Sequence, residues 1–135
     1  MNKEELFSFC EEWLSSWTGN QPNKLLSYYT DDALYVDPAN KTGLQGHNQI
    51  LPYFERLLRV YHDWKWTPIE VFPTERGAIV KWRCEIRVGK EIIEEIGLDI
   101  VEFRERKITR NEVYFDRTRL MAAVERKKQV EGLRY

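Results

Sequence analysis

The segment "YYTDDALYVDPANKTGLQGHNQI", residues 28–50, runs from one helix-like pattern through a short strand and a turn-rich corner into another helix-like pattern. Within it "ALYVD" alternates, with Leu34 and Val36 on one face and Ala33, Tyr35 and Asp37 on the other. An acid therefore ends a half-apolar strand directly before Pro38. Asp37 is either a carboxylate that a rigid strand aims at a pocket or the residue that opens the turn begun by Pro38.

On the N-terminal side, Leu6, Phe9, Cys10, Trp13, Leu14 and Trp17 recur at three and four, one face of a helix, and Asn2 with Glu5 resembles a capping box. Gly19 and Asn20 end that helix, and Pro22 suits the first turn of a shorter one whose buried side is Leu25, Leu26 and Tyr29. On the C-terminal side, "PANKTGLQG" is turn chemistry, and Ile50, Phe54, Leu57, Leu58 and Tyr61 mark a third helix.

From Trp64 the period changes to two. "WKWTPIEVF" is a broken strand in which Pro68 favours an edge or a bulge, whereas Ala78, Val80, Trp82, Cys84, Ile86 and Val88 alternate cleanly up to a hairpin turn at Gly89-Lys90. "EIIEEIGLDIVEF" is apolar on both faces: Ile92, Ile96, Leu98 and Ile100 on one, Ile93, Gly97, Val101 and Phe103 on the other, the second face also carrying Glu95 and Asp99. A strand apolar on both sides implies cover on each, from helices on one and more protein or a second subunit on the other. "RERK" leads into a last strand, "ITRNEVYFD", and then a weak stripe of Leu120, Met121 and Val124, with residues 126–135 expected to form a flexible tail.

The 135 residues suit a single domain over 1–135, and near-cancelling charges, 21 basic against 22 acidic, leave no basic field to hold nucleic acid. The 13% aromatic content is high, and such rings fill cores or line small-molecule pockets. Cys10 and Cys84 match no metal or redox spacing and read as reduced thiols, and no run of about 18 apolar residues suggests a membrane span. These features predict a soluble cytoplasmic protein. No phosphate-binding loop, dinucleotide fingerprint or nucleophile elbow is present, neither His47 nor His62 has a metal-spaced partner, and no cofactor is expected.

The order of elements, with "YYTDDALYVDP", "GLQGHNQI", "GLDIVEF" and "VYFD", resembles the nuclear transport factor 2-like superfamily, and within it the SnoaL-like domains and ketosteroid isomerases. The resemblance implies an α+β cone: a strongly curved antiparallel sheet wrapped around about three N-terminal helices, enclosing an apolar pocket, in a homodimer joined through the sheet. It also implies roles. Asp37 matches the general base of the isomerases, and Asp99 the protonated aspartic acid that donates a hydrogen bond to the substrate oxyanion. Asp116 matches the acid/base aspartate of the cyclases, or caps the last helix. Where the isomerases carry a helix-one tyrosine hydroxyl, this chain has Trp13, a donor that cannot share a proton as a phenol can.

The expected binding wall is Trp13, Trp17, Tyr29, Tyr53, Phe54, Glu95, Val101, Phe103 and Tyr114 around a small apolar carbonyl compound. Glu95 either raises the pKa of Asp99 or pairs with an arginine. Two functions follow: a cofactor-independent isomerase, cyclase or dehydratase, or a ligand-binding or dimeric interaction module in which the same acids are caps and salt bridges.

Overall fold

A computed structural model of the chain describes residues 1–132. Helix α1 (Lys3–Ser15) starts at Asn2, whose side chain accepts from the Glu5 amide at 2.8 Å, and buries Leu6, Cys10, Trp13 and Leu14. Its spacing places these apolar groups on one side, which is the side that the sheet covers. Helix α2 (Pro22–Leu26) is a single turn that buries Leu25 and Leu26. Helix α3 (His47–Val60) packs Ile50, Phe54 and Leu58 inward.

Six strands, β1 (Tyr29–Asp37), β2 (Asn40–Gln45), β3 (Lys65–Pro73), β4 (Gly77–Val88), β5 (Glu91–Arg104) and β6 (Lys107–Tyr114), form one sheet in the order β2-β1-β6-β5-β4-β3. The sheet is curved and open, and with the helices it makes the expected α+β cone. Register shifts after Tyr35, Pro68 and Glu102 supply local bends. Helix α4 (Thr118–Gly132) buries Leu120 and Ala123 and is tied to β5 by the pairs Arg119–Glu95 and Arg126–Glu91, each at 2.7 Å. No helix among the described residues is long and apolar enough to cross a membrane.

The alternation in β4 places all of Ala78, Val80, Trp82, Cys84, Ile86 and Val88 in the core. Both cysteines are buried thiols without a disulfide. On β5, Ile93, Asp99 and Val101 face inward, while Ile92 and Ile96 remain more than half exposed on the outer face.

Four details depart from the sequence expectation. The segment read as a turn contains β2, an edge strand whose pairing with β1 rests on main-chain hydrogen bonds and so needs no apolar alternation. Strand β1 runs parallel to β6, so the sheet is not wholly antiparallel. Tyr29 begins β1 and does not extend α2, although it is buried as expected. The flexible tail expected over 126–135 is helical through Gly132, and its last three positions lie outside the described residues.

The β5–β6 hairpin turns on Glu105 and Arg106, both left-handed at φ +51° and +63°. Neither side chain suits that region, which asparagine tolerates better. Replacement of Glu105 by Asn is expected to raise unfolding stability by about 1 kcal/mol, measured as a higher urea midpoint at unchanged slope.

Candidate functional site

The concave side of the sheet, α1, α3 and the start of α4 enclose a cavity of about 250 Å³. Trp17, Trp64, Trp66 and Trp82 line it, four of the five tryptophans. Trp66 meets Trp82 edge-on at 4.6 Å and Trp64 at 5.0 Å, and Tyr61 stacks on Trp64 at 4.9 Å. Trp64 is fixed by its indole N–H, which donates to the Trp17 carbonyl at 2.6 Å. The indole N–H of Trp66, a residue of the cavity wall, is buried and has no hydrogen-bond partner among the described residues. Such a group is costly to leave unpaired.

Two carboxylates share this cavity. Asp37 ends β1 and is 7% exposed. Its Oδ1 accepts from the backbone amides of Ala39 and Asn40 at 2.9 and 2.8 Å and from the Asn40 side chain at 3.0 Å. Oδ2 accepts from the hydroxyls of Tyr35 at 2.9 Å and Tyr53 at 2.5 Å. Both alternatives weighed for Asp37 are thus present in its geometry: one oxygen organises the turn, and the other holds two phenols, both in the cavity wall. Burial, reinforced by the Asp37 carboxylate, pushes both tyrosine hydroxyls well above the ordinary range.

Asp99, on β5, is 3% exposed, and its Oδ1 accepts from the Trp82 indole N–H at 2.9 Å. Trp82 and Gly97 are register partners on β4 and β5, and a Cβ on Gly97 would sit 2.6 Å from Trp82 Cη2, Phe115 Cβ and the Tyr114 carbonyl. The missing side chain makes the slot in which Trp82 lies flat enough to reach Asp99. Burial pushes the Asp99 carboxyl up to about 7, against the Trp82 N–H and the Asn111 amide, which lower it; the Asp37 charge raises it further. Asn111 itself is fully buried and donates to the Tyr29 hydroxyl at 3.0 Å.

Of the residues expected from sequence, Asp37, Asp99, Trp17 and Tyr53 line the cavity. Trp13, Tyr29, Phe54 and Val101 are buried behind its wall. Glu95 is paired with Arg119, and Phe103 packs edge-on against Phe9 at 5.0 Å. Tyr114 is half exposed on the outer face. Asp116 is exposed and accepts from the Thr118 amide at 2.9 Å and its hydroxyl at 2.6 Å, the geometry of a helix cap. Tyr61 also lines the cavity, together with Tyr35, Trp64, Trp66 and Arg117, which the sequence expectation does not include. Tyr35 was findable, because it shares the strand face of Asp37; Arg117 sits in a connection and leaves no periodic trace. Among the described residues no group of three or more His, Cys, Asp or Glu side chains is placed to hold a metal ion.

The family model of the SnoaL-like domain matches residues 10–111, and the chain belongs to that family. Among solved structures, it is similar to a hypothetical protein with a ketosteroid isomerase-like fold from Catenulispora acidiphila DSM 44928, in complex with trimethylamine. That pair shares 18% identity at a TM-score of 0.76 over 87% of this chain and 92% of the other. TerC, co-crystallised with polyporic acid, is 17% identical at a TM-score of 0.73, over 87% and 96% of the two chains. An NTF2-like protein of unknown function from Burkholderia pseudomallei K96243 is 13% identical at 0.73, over 92% and 98%. No curated protein matches the sequence. These likenesses establish the fold.

The native chain retains a proton on Asp99 that the unfolded chain, with its ordinary carboxyl at 3.8, releases. Because the folded state binds more protons between these values, stability falls as pH rises from about 4 to about 7 and is then level. The loss is on the order of 4 kcal/mol. Asp99→Asn is expected to flatten this slope and to be more stable than wild type at pH 8, measured by urea unfolding at pH 5 and 8.

Proposed function

We propose that the chain binds a small, largely apolar carbonyl compound and moves a proton on it without a cofactor, as an isomerase, cyclase or dehydratase. The observation that carries this reading is the convergence of Asp37 and Asp99 on one aromatic cavity. A carboxyl that titrates near neutrality is matched to proton transfer at physiological pH. Asp99 in its ionised form therefore takes the proton next to the carbonyl: the C–H bond breaks, its electron pair moves to the carbonyl oxygen, and the proton passes to the carboxylate. The unpaired N–H of Trp66 supplies a donor for the oxyanion, in place of the tyrosine that helix α1 lacks. The protonated Asp99 then returns the proton.

This assignment reverses the roles expected from the resemblance, with Asp37 as base and Asp99 as oxyanion donor. The reason is hydrogen-bond capacity. A carboxylate has about four lone-pair sites, and Asp37 already meets five donors, so it suits positioning Tyr53 and Tyr35 better than taking a proton. Asp116, engaged with Thr118, is given no chemical role. Polyporic acid and trimethylamine in relatives of this fold support a small-molecule role for the cavity here. Two buried thiols fit a reducing compartment and support a cytoplasmic location.

Exchange of the α-protons of 2-tetralone in deuterium oxide, followed by NMR, tests the chemistry. Wild type should accelerate exchange with a rate that rises with pH through about 7, and Asp99→Asn should lower it by about 10²–10³ with ligand affinity retained. An unchanged rate in that variant would remove Asp99 from the mechanism. The saturation of Asp37 also favours a second reading, a binding module, which predicts ligand affinity with no acceleration of exchange in the wild type across a panel of ketones.

The outer sheet face supports a homodimer. Leu98 (36% exposed) lies between Lys81 and Tyr114, with Ile96 (56%) and the Ile79–Ile100 pair on either side along the strand, an apolar stripe with basic neighbours suited to an isologous contact. Light scattering should give twice the chain mass for wild type and the single mass for the pair Ile96→Lys, Leu98→Lys. A monomeric wild type would dismiss the dimer.

A further inference from the structure

We propose that Arg117 is an anion anchor at the cavity mouth, so that the ligand is a small aromatic compound carrying one acidic group, a carboxylate or an ionised enol or phenol, in addition to its carbonyl. The inference rests on the reading of the cavity as a small-molecule site and narrows the ligand to a chemical class.

Arg117 lies between β6 and α4, and its side chain is part of the cavity wall. Among the described residues no carboxylate oxygen lies within 4.0 Å of its guanidinium, whereas Arg119 and Arg126 on the same stretch are engaged with Glu95 and Glu91. A wall that presents an unpaired guanidinium to an otherwise aromatic cavity is unusual, because a half-buried charge is retained at a cost unless something pairs with it. The charge faces the phenols. Burial raises the pKa of Tyr53 and Tyr61, and Arg117 is the strongest influence that draws each back.

Arg56, on α3, lines an adjoining depression with Asn40, Tyr53 and Tyr61, and it too pairs with no carboxylate among the described residues. The approach to the cavity is therefore basic. The two acids within do not cancel this field toward a ligand: Asp37 is covered by five donors, and Asp99 is buried and holds its proton up to about 7. A planar guanidinium beside aromatic walls suits an acid group on an aromatic frame, through two parallel hydrogen bonds and stacking.

The test compares 2-naphthoate with 2-naphthamide, nearly equal in size and shape, by calorimetry at low salt and about pH 6, where Asp99 keeps its proton. Wild type should bind the acid about tenfold or more tightly than the amide, a difference of about 1.4 kcal/mol. Arg117→Gln should remove this preference, the size of effect a charge-assisted hydrogen bond carries, and leave amide affinity within about twofold. Arg76→Gln, which deletes the same charge in the exposed β3–β4 turn, should keep the preference. Equal affinities in wild type would overturn the anchor while leaving the small-molecule cavity intact. A folded Arg117→Gln variant that weakened both probes alike would also overturn it, since the role would then be structural. If neither probe bound, the cavity reading and the anchor would fall together.

Discussion

The hydrogen bond from the Trp82 indole to Asp99, made across Gly97, is the constraint on which the site depends. Placing a carboxyl inside an aromatic cavity is unfavourable, and one directed donor offsets part of that cost while burial keeps the group near neutral acidity. The donor reaches its target only because the position between them has no side chain, and a Cβ at Gly97 would collide with both the Trp82 ring and the Tyr114 carbonyl. Strand pairing supplies the rest: Trp82 and Gly97 are opposite one another, so two central strands carry the donor, the slot and the acid in one rigid unit.

Asp37 works from the other side of the cavity by a different device. Its two oxygens divide their tasks, with Oδ1 collecting the amides of the turn after Pro38 and Oδ2 collecting two phenols. The turn that joins β1 to β2 and the hydroxyls in the cavity wall are thereby coupled through a single carboxylate. The register shift after Tyr35 lies at this point, and such irregularities commonly re-aim a side chain beside a functional cavity. Helix α4 closes the arrangement, because the Arg119 and Arg126 pairs hold it on β5 while Leu120 contributes to the wall.

The legible parts of this architecture were those written as period or punctuation. The clean alternation of Ala78 to Val88, the Gly89-Lys90 hairpin and the helical spacing of Leu6 to Trp17 all follow from local rules and are found in the structure. The strand parity of "ALYVD" placed Tyr35 and Asp37 together on the inner face, and the parity of "GLDIV" placed Asp99 inward. Strand β2 leaves no periodic trace because edge pairing uses backbone groups alone, and the bond of Tyr53 to Asp37 is not legible because Tyr53 comes from another element. Glu95 shares strand parity with Asp99, yet Arg119 on α4 holds it, a contact that parity does not encode.

The sequence by itself determined the family, the element order and the inward orientation of two aspartates, since side-chain period and turn chemistry are local properties of a chain. Only the tertiary structure decided what each aspartate meets. The five donors on Asp37, the Trp82 indole on Asp99, the bonds of Asp116 to Thr118 and the place of Arg117 in the cavity wall come from residues brought together by packing. Acidity and hydrogen-bond capacity depend on such neighbours and on exclusion of water, and neither quantity is carried by a residue's identity.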